Sequence, residues 1–306
     1  MSRSFTMMHR LVLTLLAVGL SASLWARNVV DAAGTAQTIP DHPQRVLVLS
    51  ELDLDALLAL QVTPVGTTTG RGQQGVPRYL GAAATKITLV GDFSTPVLDR
   101  VITAQPDLIL AGGAPDPAML AQLRKVAPTL VSFKPSEDWQ TAFRRVAQWL
   151  GREQQADRFM TEYRARAATV RTRLAKQANA TVSIVRWSPQ GPAYMLKDSF
   201  ASRVLADVQL VRPATQQQPG VAHSPPISLE ALNRVDADWL FVGTLSTTGQ
   251  AADALQVARQ TPAFNQLNAV KRNQLVVVDG SLWTSLGGPL AAMAVLTDVD
   301  KAMATR

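Results

Sequence analysis

The sequence predicts an α/β protein of two Rossmann-like lobes joined by a long helical strut, with a ligand cleft between the lobes. Three observations predict it. Residues 97–112 and 228–243 carry one pattern twice: Leu98 aligns with Leu229, Asp99 with Glu230, Val101 with Leu232 and Asp107 with Asp238, and both copies end in four apolar residues and a glycine, Gly112 and Gly243. Each copy reads as an amphipathic helix, an acidic turn residue and a short strand buried on both faces. Between the copies, residues 136–188 contain no proline and a single glycine, Gly151, so the segment is helical on both sides of a break at that glycine. The length of 306 residues exceeds one ordinary core. In such folds ligands bind in clefts outside the carboxyl ends of parallel strands.

Residues 1–26 read as a secretory signal peptide. Arg3, His9 and Arg10 precede the apolar run 11–20, and small residues follow at Ser21, Ala22, Ser23 and Ala26, with cleavage after Ser23 and after Ala26 both open. The run is too short to cross a bilayer, and no later run reaches about 18 apolar residues, so a periplasmic protein without stable membrane insertion is expected. The absence of cysteine removes disulfides, thiolate metal sites, cysteine nucleophiles and a lipid anchor.

The N-terminal lobe, 27–136, opens with a strand at 45–49, and Leu54, Leu57 and Leu58 repeat at helical spacing before the next strand begins within 61–66. A glycine-rich loop at 70–75, an apolar run at 86–90, a helix at 95–105 stopped by Pro106, a strand at 108–111, a helix at 115–126 and a run at 129–133 complete it. In the linking helices, 137–178, Trp139, Phe143, Val146 and Leu150 mark one face, and Phe159, Tyr163, Val170 and Leu174 continue it with shifted phase. Residues 152–177 make a rod of about 39 Å, a strut that resists hinge bending. The C-terminal lobe, 179–306, begins with a strand at 181–187, a turn at 189–192 and a run at 193–196. Asp198 is placed to cap a helix at 199–208. A polar, proline-rich segment at 215–226 is a loop near the cleft or a mobile rim, and the second copy follows. A strand at 275–279, a loop at 280–288 and a last helix opened by Pro289 end the chain.

Chemistry is narrowed by what the pattern lacks. Gly70, Gly72 and Gly75 spell a dinucleotide loop, but they follow the second strand and run into Val76 and Pro77 instead of entering a helix. His42 and His223 are the histidines left after processing. Neither sits at metal-ligand spacing, so each reads as a surface histidine, with ligand contact the other reading for His223. No nucleophile elbow exists, and Ser224 beside His223 is adjacency rather than triad geometry, so no enzyme is expected. The net charge is +7, and removal of Arg3 and Arg10 leaves about +5, scattered rather than clustered with aromatics. This argues against nucleic acid and for an anionic small ligand. Candidate ligand-binding residues are Arg71, Arg78 and Tyr79 in the first lobe, Trp187, Tyr194, Lys197 and Arg203 in the second, and Trp283 in the last loop. Arginine forks suit carboxylate or catecholate oxygens, and aromatic faces suit rigid organic ligands.

The runs RVLVLSELDLDALLALQVTPVG (45–66), VGDFSTPVLDRVITAQPDLILAG (90–112), DSFASRVLADVQLVRP (198–213) and WTSLGGPLAAMAVLTDVDK (283–301) resemble periplasmic iron-siderophore binding proteins. These are the ferric dicitrate and ferric hydroxamate binders and, more distantly, the vitamin B12 and haem binders, all serving ABC importers. The resemblance covers nearly all of the mature chain. It implies a soluble monomer that binds a ferric siderophore and delivers it to an inner-membrane ABC permease. The iron enters only inside its chelator, with no cofactor or protein metal ligand. It also implies one acidic residue per lobe that meets permease arginines, here Asp55 and Glu230, with Glu51 the other candidate to share the role of Asp55. The other reading of Glu230, and of its repeat partner Asp99, is a helix N-terminal acid favoured by the dipole. Hydroxamate binders resemble this chain in the tryptophan matching Trp283. They differ in an arginine within the turn at 92–94 and a tyrosine where Gly113 stands here. The resemblance therefore implies an anionic chelate of citrate, mixed carboxylate or catecholate type. The same scaffold binding cobalamin or haem, an exported α/β enzyme, and an adaptor or sensor are the alternatives.

Overall fold

The computed structural model describes residues 26–304 apart from 136 and 221. The expected signal peptide, but for Ala26, lies outside the described residues. A β-ribbon, β1 (Ala26–Val30) with β2 (Ala36–Pro40), opens the chain. The first lobe follows as β3 (Val46–Val48), α1 (Glu51–Ala59), β4 (Gly66–Thr68), a 3₁₀ segment Arg78–Ala83, β5 (Leu89–Asp92), β6 (Thr95–Pro96), α2 (Leu98–Thr103), β7 (Leu108–Leu110), α3 (Pro117–Val126) and β8 (Thr129–Leu130). The linking helices are α4 (Trp139–Leu150) and α5 (Glu153–Arg173). The second lobe continues with β9 (Val182–Ser188), β10 (Gly191–Tyr194), α6 (Phe200–Asp207), a 3₁₀ segment Leu229–Val235, β11 (Trp239–Thr244), α7 (Gln250–Ala258), α8 (Pro262–Asn265), α9 (Asn268–Lys271), β12 (Leu275–Val277), α10 (Gly280–Trp283) and α11 (Pro289–Met303).

Two sheets carry the lobes, in strand orders β6-β5-β4-β3-β7-β8 and β10-β9-β11-β12. All pairs are parallel except β5–β6 and β9–β10. In the first sheet the order runs outward one way from β3 through β4 and β5, and the other way from β7 to β8. The switch point between β3 and β7 is where such sheets open a ligand crevice. The repeat has a structural counterpart. Asp107 accepts the Gln44 and Arg45 N–H groups where β3 begins, and Asp238 accepts the Thr181 N–H where β9 begins. A Cβ on Gly112 would stand 2.0 Å from the Phe133 ring, and one on Gly243 2.4 Å from the Val278 carbonyl oxygen.

The inner faces of both sheets share one apolar core with α1, α4, α5, α6 and α11. Val46, Val48, Leu108 and Leu110 from the first sheet belong to the same cluster as Val182, Ile184, Trp239 and Phe241 from the second. Separate clusters cover the outer faces. The break at Gly151 is a left-handed C-cap, φ 61°, which glycine adopts without a Cβ penalty. The strut is shorter than its sequence predicts, because α5 ends at Arg173 and the chain tightens into a 3₁₀ turn, Ala175–Gln177.

Four local expectations are corrected. The helix of the first copy starts later, at Leu98, because Thr95 and Pro96 fold back as β6 on Asp92 and Gly91. The second copy's helix is 3₁₀ rather than α. Asp198 does not cap α6; its carboxylate accepts the Gly220 N–H and anchors the following loop. The segment 280–283 is a helical turn capped by Asp279, not loop.

Candidate functional site

The carboxyl ends of the strands from both lobes enclose a cavity of about 550 Å³. Leu49 and Ser50 after β3 and Ala111 and Gly112 after β7 form its floor at the switch point, and Arg186 near the end of β9 faces them from the other lobe. One wall is cationic. Arg71 comes from the glycine-rich loop, which closes on itself through Gly70 N–H to the Gly75 carbonyl and packs Gly72 against Leu245 of the second lobe. Its guanidinium lies 4.7 Å from the centroid of the Phe93 ring, a cation–π contact. Neither the Arg71 nor the Arg186 guanidinium has a hydrogen-bond or ion-pair acceptor among the described residues. Burial, and then the Arg71 charge, hold Arg186 below the usual arginine range.

His223 stands with them. Its Nδ1 donates to the Ser224 carbonyl at 2.7 Å, which leaves Nε2 as an acceptor. Burial, followed by the charges of Arg186 and Arg71, pushes its pKa down, so the ring is neutral at pH 7. Ser224 is not its catalytic partner, because the Ser224 hydroxyl donates to the Pro225 carbonyl. The opposite wall is apolar, with Pro96, Pro115, Met119 and Leu123, and Asp116 at its rim is engaged in capping α3 through the Met119 N–H. Beneath Arg71, Glu51 accepts the Arg71 N–H at 2.7 Å with one oxygen and the Ser285 hydroxyl with the other. Among the described residues no cluster of His, Cys, Asp or Glu is arranged to hold a metal ion.

Residues 46–282 match the family described as Periplasmic binding protein. The chain belongs to the periplasmic binding protein family. An achromobactin-binding periplasmic protein of Dickeya dadantii (strain 3937) is 28% identical over 295 residues, covering 95% of this chain and 92% of the relative. The probable siderophore-binding lipoprotein YfiY of Bacillus subtilis (strain 168) is 27% identical over 283 residues, covering 90% and 86%. The crystal structure of Staphylococcus aureus SirA complexed with staphyloferrin B superposes with a TM-score of 0.78 at 21% identity, covering 90% of this chain and 98% of that one. As in a periplasmic binding protein, no helix among the described residues is long and apolar enough to cross a membrane.

Of the residues expected at this family's ligand cleft, the structure places Arg71 in the cavity wall. The others lie outside the lining of this cavity. Arg78 ties the lobes together, donating to Asp279 at 2.6 Å and to the Leu245 carbonyl. Tyr79 donates its hydroxyl to Asp55. Trp187 packs on Phe264 in the outer core of the second lobe, because strand alternation turns it away from Arg186. Tyr194 is buried and accepts from Arg234. Lys197 is exposed outside the cavity. Arg203 pairs with Asp138 at 3.5 Å, bracing α6 against the start of α4. Trp283 is fully buried, stacks on Phe241 at 4.6 Å and donates to Asp298.

The permease contact expected at Asp55 is also corrected. Its carboxylate is fully buried and accepts the Leu290 and Ala291 N–H groups at the start of α11. Glu230 is exposed, as is Asp99 at the equivalent place in the first copy. Sequence reasoning missed Arg186. The signal was the alternation of β9: once Val185 and Trp187 are assigned to one core face, Arg186 faces the other side.

Proposed function

We propose that this protein captures a ferric siderophore with an anionic, polycarboxylate-type surface and delivers it to an inner-membrane ABC permease. The observation that carries the reading is the pair of unpartnered guanidiniums, Arg71 and Arg186, brought to one cavity from opposite lobes. Planar forks recognise carboxylates in bidentate fashion. Of the Phe, Tyr and Trp rings among the described residues, Phe93 alone lines the cavity, and it already faces Arg71, which favours charge recognition over ring stacking. In this reading ferric iron is cargo wrapped in its chelator. The names of the siderophore-binding relatives support the same cargo class. Calorimetric titration with ferric polycarboxylate, ferric triscatecholate and ferric hydroxamate chelates, cobalamin and haem tests it. Saturation by the ferric polycarboxylate, weakened by added salt, is expected; saturation by cobalamin or haem alone overturns the reading.

Delivery is assigned to Asp99 and Glu230 in place of Asp55. The internal repeat puts both acids in the first turns of matching short helices, one on each lobe, beside exposed Val97 and Leu229. Paired rim acids fix docking register and speed encounter with a basic partner surface. Asp99→Ala combined with Glu230→Ala is expected to leave chelate affinity within about twofold while lowering uptake through the reconstituted permease by roughly tenfold or more. Equal loss of binding and uptake would sink the assignment.

A further inference from the structure

Glu51 is the first residue of α1, directly after the N-cap Ser50, and it is 4% exposed. Its two oxygens reach two cavity-lining loops that belong to different lobes. One accepts the backbone N–H of Arg71, and the other accepts the hydroxyl of Ser285. The nearby glycine is built for this approach, since a Cβ on Gly70 would lie 3.2 Å from the same carboxylate oxygen. A buried acid under the cationic wall of an anion cavity opposes the ligand unless it has a task there.

We propose that Glu51 is a positioning residue for the ligand: it braces the Arg71 loop against the Ser285 loop, and its carboxylate competes with the bound anion for the Arg71 charge. The inference rests on the anionic-chelate reading and adds the regulation of that site. In the empty cavity Glu51 feels the field of the Arg71 charge without an ion pair to it; a bound polycarboxylate offsets that field, and Glu51 then takes up a proton from solvent. Binding of the anion and binding of the proton are therefore mutually favourable.

The surroundings fix the sign. Around Glu51 stand Arg71 from the glycine-rich loop, Tyr79 from the 3₁₀ segment, Asp55 one turn along α1 and Ser285 from the loop before α11. Asp53 on the same helix is turned to the Gly112 N–H. Across the cavity Arg186 and His223 share the field of Arg71. Burial raises the Glu51 pKa, and its hydrogen bonds to Ser285 and Arg71, with the Arg71 charge, only partly offset that rise. The group thus sits above the ordinary carboxylate range before ligand arrives. Affinity for an anionic chelate increases as pH falls toward that range.

Three variants separate brace from charge. Glu51→Gln keeps an oxygen for the Arg71 N–H and an amide that reaches the Ser285 hydroxyl, but carries no charge. Glu51→Ala removes both, and Ser285→Ala removes the bridge and keeps the charge. Calorimetric titration with ferric citrate, from about pH 5 to about pH 8 where buried carboxylates titrate, in buffers of different ionisation enthalpy, reports affinity and proton uptake together. Comparison between proteins cancels the chelate's own protonation.

The wild type is expected to take up protons on binding and to bind more tightly at the acid end. Glu51→Gln should lose the larger part of both dependences, leaving the share that His223 in the same cavity contributes, and bind roughly threefold to tenfold more tightly than the wild type at the alkaline end. Ser285→Ala should bind more weakly with the pH dependence retained, and Glu51→Ala more weakly at every pH. Thermal melts confirm that each variant is folded. A pH dependence and proton uptake unchanged in Glu51→Gln would overturn the role of Glu51 while leaving the transport reading intact. Failure of the wild type to bind any ferric polycarboxylate overturns that reading and this inference together.

Discussion

Replacing Arg71 and Arg186 together with alanine is expected to abolish measurable binding of the ferric chelate while leaving the fold unchanged. A charge-assisted hydrogen bond from either guanidinium to the proposed chelate would contribute about 1.5–3 kcal/mol, so either single replacement is expected to cost roughly tenfold to a hundredfold in affinity. The two arginines lie on different lobes and approach one ligand, and their effects compound. Neither guanidinium has a hydrogen-bond acceptor among the described residues, and Arg71 gives up only its contact with the Phe93 ring and its field at Glu51, so circular dichroism should match the wild type and the melting temperature should change little. Arg186→Lys restores the charge without the planar fork and should recover only part of the affinity. Calorimetry on the two single variants and the double variant decides the matter. Retention of wild-type affinity by the double variant would remove the basis for placing the ligand in this cavity.

The second large effect is on stability. Asp55→Ala should destabilise the protein by about 3 kcal/mol or more, because it leaves the Leu290 and Ala291 N–H groups and the Tyr79 hydroxyl without their common acceptor. Asp55→Asn keeps one oxygen and should cost less. The two variants also differ from the wild type in pH dependence. Burial outweighs the hydrogen bonds to Leu290, Ala291 and Tyr79 and raises the Asp55 pKa to about 6, from an ordinary 3.8 in the unfolded chain. A carboxyl raised in the folded state contributes stability that is full below its unfolded pKa and is lost as pH rises through the folded value. Relative to Asp55→Asn, the wild type should therefore gain stability between pH 7.5 and pH 4, by on the order of 3 kcal/mol. Urea unfolding of both proteins across that range measures it, and parallel pH profiles would refute the buried, protonatable state of Asp55.

The duplicated pattern made the architecture legible because its parts have local causes. A buried parallel strand must be apolar on both faces, and the aspartates that precede β7 and β11 cap the first strand of each lobe. Gly151 marked the break between α4 and α5 because a left-handed residue there asks for no side chain. The cleft was harder to read for a reason shown by two tryptophans. Trp187 and Trp283 sit near strand ends where a ligand is expected, but large aromatic faces are worth more inside a core than at a wet rim, and nothing local distinguishes the two placements. Acid residues were ambiguous in the same way. Asp55 and Glu230 are both helical acids, and only the arrival of α11 from 235 residues further along the chain decides that one is buried. Arg186 was recoverable from strand alternation, whereas the absence of any acceptor for its guanidinium is a property of the folded neighbourhood alone.

The apolar layer shared by the two sheets has a consequence for how the molecule comes apart. The inner faces of the two sheets are not covered separately, since one apolar cluster joins residues of both with residues of α1, α5 and α11, so a separated half would expose a continuous greasy surface. The halves therefore unfold as one cooperative unit. A ligand bound only by the folded chain then stabilises the whole molecule and not one half of it.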